Sequence, residues 1–269
     1  MCRFLAYTGP ATLMEELVFR AENSLVSQSK QATMRLDPLN GDGFGIGWYP
    51  EHQDKIPGTF VSIEPAWSNR NLIQLAAKIK TQHFFAHVRD ASPGMPVSQS
   101  NCHPFQFGPY LWMHNGRLEQ FNLFRRNIMR DLSDEAFEFI KGNTDSECAF
   151  AMFLDEINFD HHASEQCLID AMKTTIEKIS FYKQAVNAHN NALINFAVTN
   201  GQTSLFTRLS TRHDIQPASL FYQQKTDRII VSSEPLCAPK DSWTKVDRHS
   251  LVIVNNANVK IESLQHFAQ

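Results

Sequence analysis

The sequence predicts an α+β fold of antiparallel sheets covered by helices, on three observations. Strand-like segments fill the chain up to His114, a block of amphipathic helical segments follows Gly116, and strand-like segments then return. Segregated blocks of this kind indicate antiparallel sheets with helices on their faces, whereas a parallel sheet needs regular strand-helix alternation. Asn200-Gly201 between two apolar runs is the strongest hairpin signal in the chain. No low-complexity segment, charge block or repeat marks a linker, so residues 1–269 read as a single domain.

Each element follows from its own pattern. Residues 2–7 are a short apolar run suited to a first strand, and residues 13–25 carry helical spacing. Strands are expected at 45–49, 59–63, 84–88 and 111–114, each bounded by Gly, Pro or Asn. The period then changes, and 118–128, 134–140, 146–157 and 165–182 read as amphipathic helices. Thr144 or Asp145 is placed to cap the third of these. Strands are expected again at 192–199, 203–207, 220–222, 228–232 and 251–254.

Composition excludes several classes of function. With 42% hydrophobic and 20% charged residues the chain has the profile of a soluble globular protein. Its 25 basic side chains against 28 acidic ones leave no basic footprint, which argues against a nucleic-acid partner. No apolar run reaches the roughly 18 residues of a membrane span, and the start MCRFLAYTGP lacks the parts of a signal peptide, so a cytoplasmic location is expected. The five cysteines, at positions 2, 102, 148, 167 and 237, form no CxxC pair and read as reduced thiols.

Two clusters invite a cofactor reading and fail it. Four of the 11 glycines fall in NGDGFGIGW, but their spacing does not match a dinucleotide fingerprint and no P-loop lysine follows. A tight loop feeding a strand against which another backbone packs closely explains them better. His83 and His87 would share one face of a strand about 13 Å apart, too far to hold one ion. His161 and His162 sit in a polar turn and no HExxH occurs, so neither a metal nor another cofactor is expected.

Cys2 is the sharpest chemical clue. Removal of Met1 would leave a thiol and a free α-amino group on one residue, and an amine with a reference pKa of about 7.7 to 8.0 can serve that thiol as a base. Three later segments supply what an amide-cleaving thiol needs. Arg89 in HVR can grip a carboxylate through two parallel hydrogen bonds. Asn115 and Gly116 in HNG can present an amide side chain and a backbone N–H to one oxyanion. Asp145 in NTDSE, at a helix start, can pair with an ammonium group. Taken singly these are a surface ion pair, a turn and a cap; together they describe a site for the α-amino-acid end of glutamine.

MCRFLAY, NGDGFGIGWYP, FFAHVRDASPG, NCHPF, MHNGRL, GNTDSE and VSSEPL stand in this order along nearly the whole chain. In that order they resemble the class II glutamine amidotransferases of the N-terminal nucleophile hydrolase superfamily. The branch most similar is the stand-alone one that includes the ergothioneine-pathway γ-glutamyl amidohydrolase and the yeast glutathione-degradation subunit. The resemblance implies one type-2 amidotransferase domain over 1–269, folded as a four-layer αββα sandwich. It matches Cys2 to the nucleophile, Asn115 and Gly116 to the oxyanion hole, Arg89 to the α-carboxylate clamp and Asp145 to the α-ammonium clamp. His103 matches a site-proximal position with no assigned role.

The function so implied is cysteine-dependent hydrolysis of the γ-amide of glutamine or a γ-glutamyl compound through a thioester. Asp90 and Pro93 depart from the pattern of synthase-linked members, which puts free glutamine in doubt as the substrate and makes a larger γ-glutamyl amide plausible. Ammonia transfer would require a separate acceptor or synthase protein, because the chain carries no such domain. A member of the fold that binds without cleaving is the rival from another class.

Overall fold

Cys2 leads directly into a strand that extends well past its expected end at residue 7. In the computed structural model, which describes residues 2–35, 37–50, 55–91, 94, 96–188, 190–212, 214–239 and 242–267, the elements fall into the expected blocks. Met1 and Pro93, on which two expectations bear, lie outside the described residues. The first block holds β1 (Arg3–Leu13), β2 (Phe44–Trp48), β3 (Gly58–Ser62), β4 (Lys80–Val88), β5 (Phe105–Phe107), β6 (Tyr110–His114) and β7 (Arg117–Leu118). Two short helices, α1 (Leu25–Gln31) and α2 (Arg70–Ala76), interrupt it. Next come α3 (Phe121–Asp131), α4 (Asp134–Phe139), α5 (Asp145–Glu156) and α6 (Glu165–Ala185). The last block holds β8 (Ala192–Ile194), β9 (Phe196–Thr199), β10 (Thr203–Ser210), β11 (Phe221–Gln224), β12 (Ile229–Ser232), β13 (Thr244–Lys245), β14 (Ser250–Asn255) and β15 (Asn258–Ser263).

The strands form two antiparallel sheets. The first runs β13-β11-β12-β1-β4-β2-β3, and the second runs β15-β14-β10-β9-β6-β5, with β8 on β10 and β7 on β8. Alternation along β1 shows how the layers arise: Leu5 and Tyr7 pack under α1 and α2, while Phe4 and Ala6 face the second sheet. Phe4, Phe85, Leu111, Met113, Phe206 and Val252 fill the space between the sheets. Trp112, Phe150, Phe153, Met172 and Phe196 pack the outer face of the second sheet against α3 to α6. Helices, sheet, sheet and helices make the four layers of the N-terminal nucleophile hydrolase fold.

Three boundaries differ from expectation for physical reasons. Residues 13–25 are not one helix: β1 continues through a register shift between Thr8 and Thr12, so that Thr12 and Leu13 pair with Thr81 and Lys80. A π-helical turn, Glu16–Arg20, follows, and α1 starts only after Ser24, whose side chain accepts from the Ser27 N–H. Strand pairing here overrides local helical spacing. The strand expected over 192–199 breaks at Asn195, whose carbonyl accepts the Asn115 N–H at 3.0 Å. The first helix of the block begins at Phe121, because Leu118 is taken into β7 opposite Ala192. The Asn200-Gly201 hairpin forms as expected, with Asn200 N–H on Thr203 O at 3.2 Å. Among the described residues no helix is long and apolar enough to cross a membrane.

Candidate active site

The β1–β4 ladder ends at the Arg3–Val88 pair, and the residues just beyond it on the two strands are Cys2 on one side and Arg89 with Asp90 on the other. That register brings the thiol against the main chain of Asp90. Cys2 Sγ accepts from the Asp90 N–H at 3.4 Å and donates to the Asp90 carbonyl at 3.6 Å. Burial pushes the Cys2 thiol up from its ordinary pKa, and the Asp90 N–H works against that shift by favouring the thiolate.

Arg89 is buried beside it and is fixed by backbone. Nη1 donates to Asp42 O and Nη2 to Pro96 O, each at 3.3 Å. Each terminal nitrogen keeps a second N–H, which preserves the two-pronged geometry that suits a carboxylate. The segment is held from the loop before β2 as well, since Arg89 N–H reaches Gly43 O at 2.8 Å and Ala91 N–H reaches Asp42 Oδ2 at 2.8 Å. Asp90, a departure from the synthase-linked pattern, places its carboxylate 2.6 Å from Arg35 Nη2, and Arg35 Nη1 donates to Asn40 Oδ1 at 2.6 Å. No local pattern announces this ion pair, whose partners lie 55 positions apart.

Asn115 and Gly116 follow β6 on the second sheet. Asn115 is fully buried, and its Nδ2 donates to Ser233 Oγ at 3.3 Å. Ser233 Oγ also accepts the Phe4 N–H at 3.0 Å, so one hydroxyl connects the strand that follows Cys2 to the Asn115 amide. Gly116 has no room for a side chain: a Cβ would stand 1.9 Å from Leu193 O and 2.5 Å from His114 Nε2.

Thr144 is the cap of α5, accepting the Glu147 N–H at 3.1 Å, and this puts Asp145 at the first helical position. Asp145 Oδ2 accepts from Leu118 N–H at 2.6 Å, two residues beyond Gly116. Glu147, the second acid of the segment, is spent on structure, since its oxygens take the N–H groups of Lys141 and Gly142 at 2.9 and 2.7 Å. Asp145 instead lines a cavity of about 590 Å³ together with Arg117, Phe121, Arg125, Asn143 and Asn190.

His103 lies in the floor. Its Nδ1 stands 3.1 Å from His87 Nε2, which is 3.3 Å from His114 O. Burial lowers the His87 pKa to about 3 and that of His103 well below the ordinary value, so this floor is uncharged at neutral pH. The glycine cluster fits against the same segment: a Cβ at Gly45 would stand 2.2 Å from the His103 carbonyl oxygen, the close backbone approach expected from the sequence. His83 and His87 both lie on β4. His83 is bonded to Thr8 and Thr199 hydroxyls at 2.8 and 3.0 Å. A cavity of about 850 Å³ near His83, His161 and Gly201 sits toward the start of β4, away from Cys2. The geometry therefore gathers Cys2, Arg89 and Asp90 at one strand end, ties Asn115 to them through Ser233, and sets Asp145 beside the turn after Gly116.

A sequence model of the family described as glutamine amidotransferases class-II matches residues 24–268. The chain is 35% identical to the probable glutamine amidotransferase DUG3 of Saccharomyces cerevisiae, over 98% of this chain and 84% of that one. It is 26% identical to a gamma-glutamyl-hercynylcysteine sulfoxide hydrolase of Mycobacterium tuberculosis, over 98% and 97% of the two chains. A glutamine aminotransferase class-II domain protein from Silicibacter pomeroyi superposes with a TM-score of 0.71 at 23% identity, covering 100% of both chains.

Proposed function

Since the chain belongs to the class-II glutamine amidotransferases, we propose that it hydrolyses the γ-amide of a γ-glutamyl compound with Cys2 as nucleophile. The observation that carries this reading is the thiol at the start of β1, bonded to the main chain of Asp90 and one residue from the Arg89 guanidinium. In the proposed mechanism the α-amino group of Cys2, freed by removal of Met1, takes the thiol proton as sulfur attacks the γ-carbonyl carbon. The Asn115 amide and the Gly116 N–H receive the developing oxyanion, contacts of a type each worth about 3 to 4 kcal/mol. The protonated amine returns its proton to the leaving group, and water then cleaves the γ-glutamyl thioester. Arg89 and Asp145 hold the α-carboxylate and the α-ammonium. A single-domain reading over 1–269 accords with this, because β1, which leads out of Cys2, pairs with β12 from the last part of the chain.

A larger γ-glutamyl amide is supported by Asp90, which stands where the synthase-linked pattern has an aromatic residue after the arginine. A glutaminase would instead hand ammonia to a separate acceptor protein. The two readings separate in a hydrolysis panel of glutamine, larger γ-glutamyl amides and analogues lacking the α-carboxylate or the α-amine. Loss of a charge-assisted contact of about 1.5 to 3 kcal/mol in Arg89→Ala lowers kcat/KM roughly tenfold to a few hundredfold. The analogue without the α-carboxylate loses little more in that variant, and Asp145→Ala behaves likewise toward the analogue without the amine. Equal losses on all substrates would remove both residues from the acyl pocket.

A further inference from the structure

The VSSEPL segment has no part in the mechanism above, yet its second serine touches both halves of the site. We propose that Ser233 is the positioning residue of the oxyanion site, its hydroxyl fixing the Asn115 carboxamide relative to the strand that carries Cys2. This rests on the proposed cysteine mechanism and adds to it the group that sets the distance between nucleophile and oxyanion donor.

Ser233 follows the last residue of β12 and is clamped to β1 in both directions. Its N–H donates to Phe4 O at 3.0 Å and its Oγ accepts the Phe4 N–H at 3.0 Å. Its carbonyl accepts from Ser219 Oγ at 2.8 Å, so the backbone that carries the hydroxyl is held from a third side. The same Oγ accepts from Asn115 Nδ2 at 3.3 Å, and Phe4, Asn115 and Ser233 are all buried. An Asn carboxamide rotates through a broad torsional well, so it needs a partner to keep one orientation. With one of its two amide protons on Ser233, the other remains for the substrate oxygen. Asn115 Oδ1 is buried without a hydrogen-bond partner among the described residues, so it does not anchor the amide. Phe4 belongs to the first sheet and Asn115 follows β6 of the second, which makes this hydroxyl a direct tie between the two.

The test compares wild type with Ser233→Ala and with Ser233→Cys, which nearly keeps the volume but is a poor acceptor. Three quantities are measured: kcat and KM on the best γ-glutamyl amide, the rate of Cys2 alkylation by iodoacetamide, and inhibition by glutamate γ-semialdehyde against inhibition by glutamate. The aldehyde adds the Cys2 thiol across its C=O, with the thiol proton passing to the new oxygen, and so places a tetrahedral oxygen in the hole; glutamate does not. Both variants lower kcat roughly 10- to 100-fold with KM within about threefold, and aldehyde affinity falls in parallel while glutamate affinity and alkylation hold. Turnover by wild type that both variants retain overturns the role of Ser233 alone, as does an equal loss of aldehyde and glutamate affinity. Absence of turnover of any γ-glutamyl amide by wild type overturns the cysteine mechanism itself. Should Ser233→Ala fail to fold, Ser233→Cys decides between these outcomes.

Discussion

At the residue scale the site rests on a thiol whose surroundings oppose its ionisation. Burial raises the Cys2 pKa, and the Asp90 N–H and the proposed α-amine base are what make attack feasible near neutral pH. On the proposed mechanism Cys2→Ala should abolish turnover while leaving the far-ultraviolet spectrum and the affinity for glutamate near wild type, because the proposed clamps Arg89 and Asp145 are untouched. Retention of most activity would exclude Cys2 as the nucleophile. Cys2, Arg89, Asn115, Gly116 and Asp145 were legible as residue types with matching chemistry. Ser233 and the Arg35–Asp90 pair were not, since the Asn115–Ser233 contact joins residues 118 positions apart and no local pattern announces it.

At the scale of elements, legibility followed the strength of the period. The long apolar helices α5 and α6 and the strands β4, β6, β10 and β14 were read from their spacing. α1 and α2 span only seven residues each, and β15 alternates weakly on an exposed edge, so none of the three stands out. β2 shows how an element is selected by what lies across from it. Gly45 pairs with Val61 and His87, and the His103 carbonyl occupies the place of its missing side chain. The obstruction is backbone, which cannot swing aside as a flexible side chain can. Gly45→Ala should destabilise the protein by about 1 to 3 kcal/mol through overpacking. Urea unfolding checks this: the midpoint drops with the slope unchanged. An unaltered midpoint would mean that the segment around His103 shifts freely and does not brace the site floor.

At the scale of the whole molecule, the pairing order of the two sheets could not be read from local pattern, because β1 joins strands from both ends of the chain. That arrangement has a consequence for acid stability, since it seals histidines between the sheets. Burial lowers His83 and His87 to about 3 and His103 well below its ordinary value. In the unfolded chain each returns to about 6.5. Below about pH 6.5 the unfolded state binds these protons and the native state does not, so stability falls as pH drops toward 3, by up to about 1.4 kcal/mol per pH unit for each histidine. Above pH 6.5 both states are neutral and the contribution is constant. Urea midpoints should hold from pH 8 to 7 and then fall steadily from pH 6.5 to 5, before most carboxylates titrate. His83→Gln, which keeps hydrogen-bonding capacity toward Thr8 and Thr199, should make that fall shallower by about one proton's worth. A midpoint that stays level from pH 7 to 5 would mean that the histidines between the sheets take up protons without unfolding the sandwich.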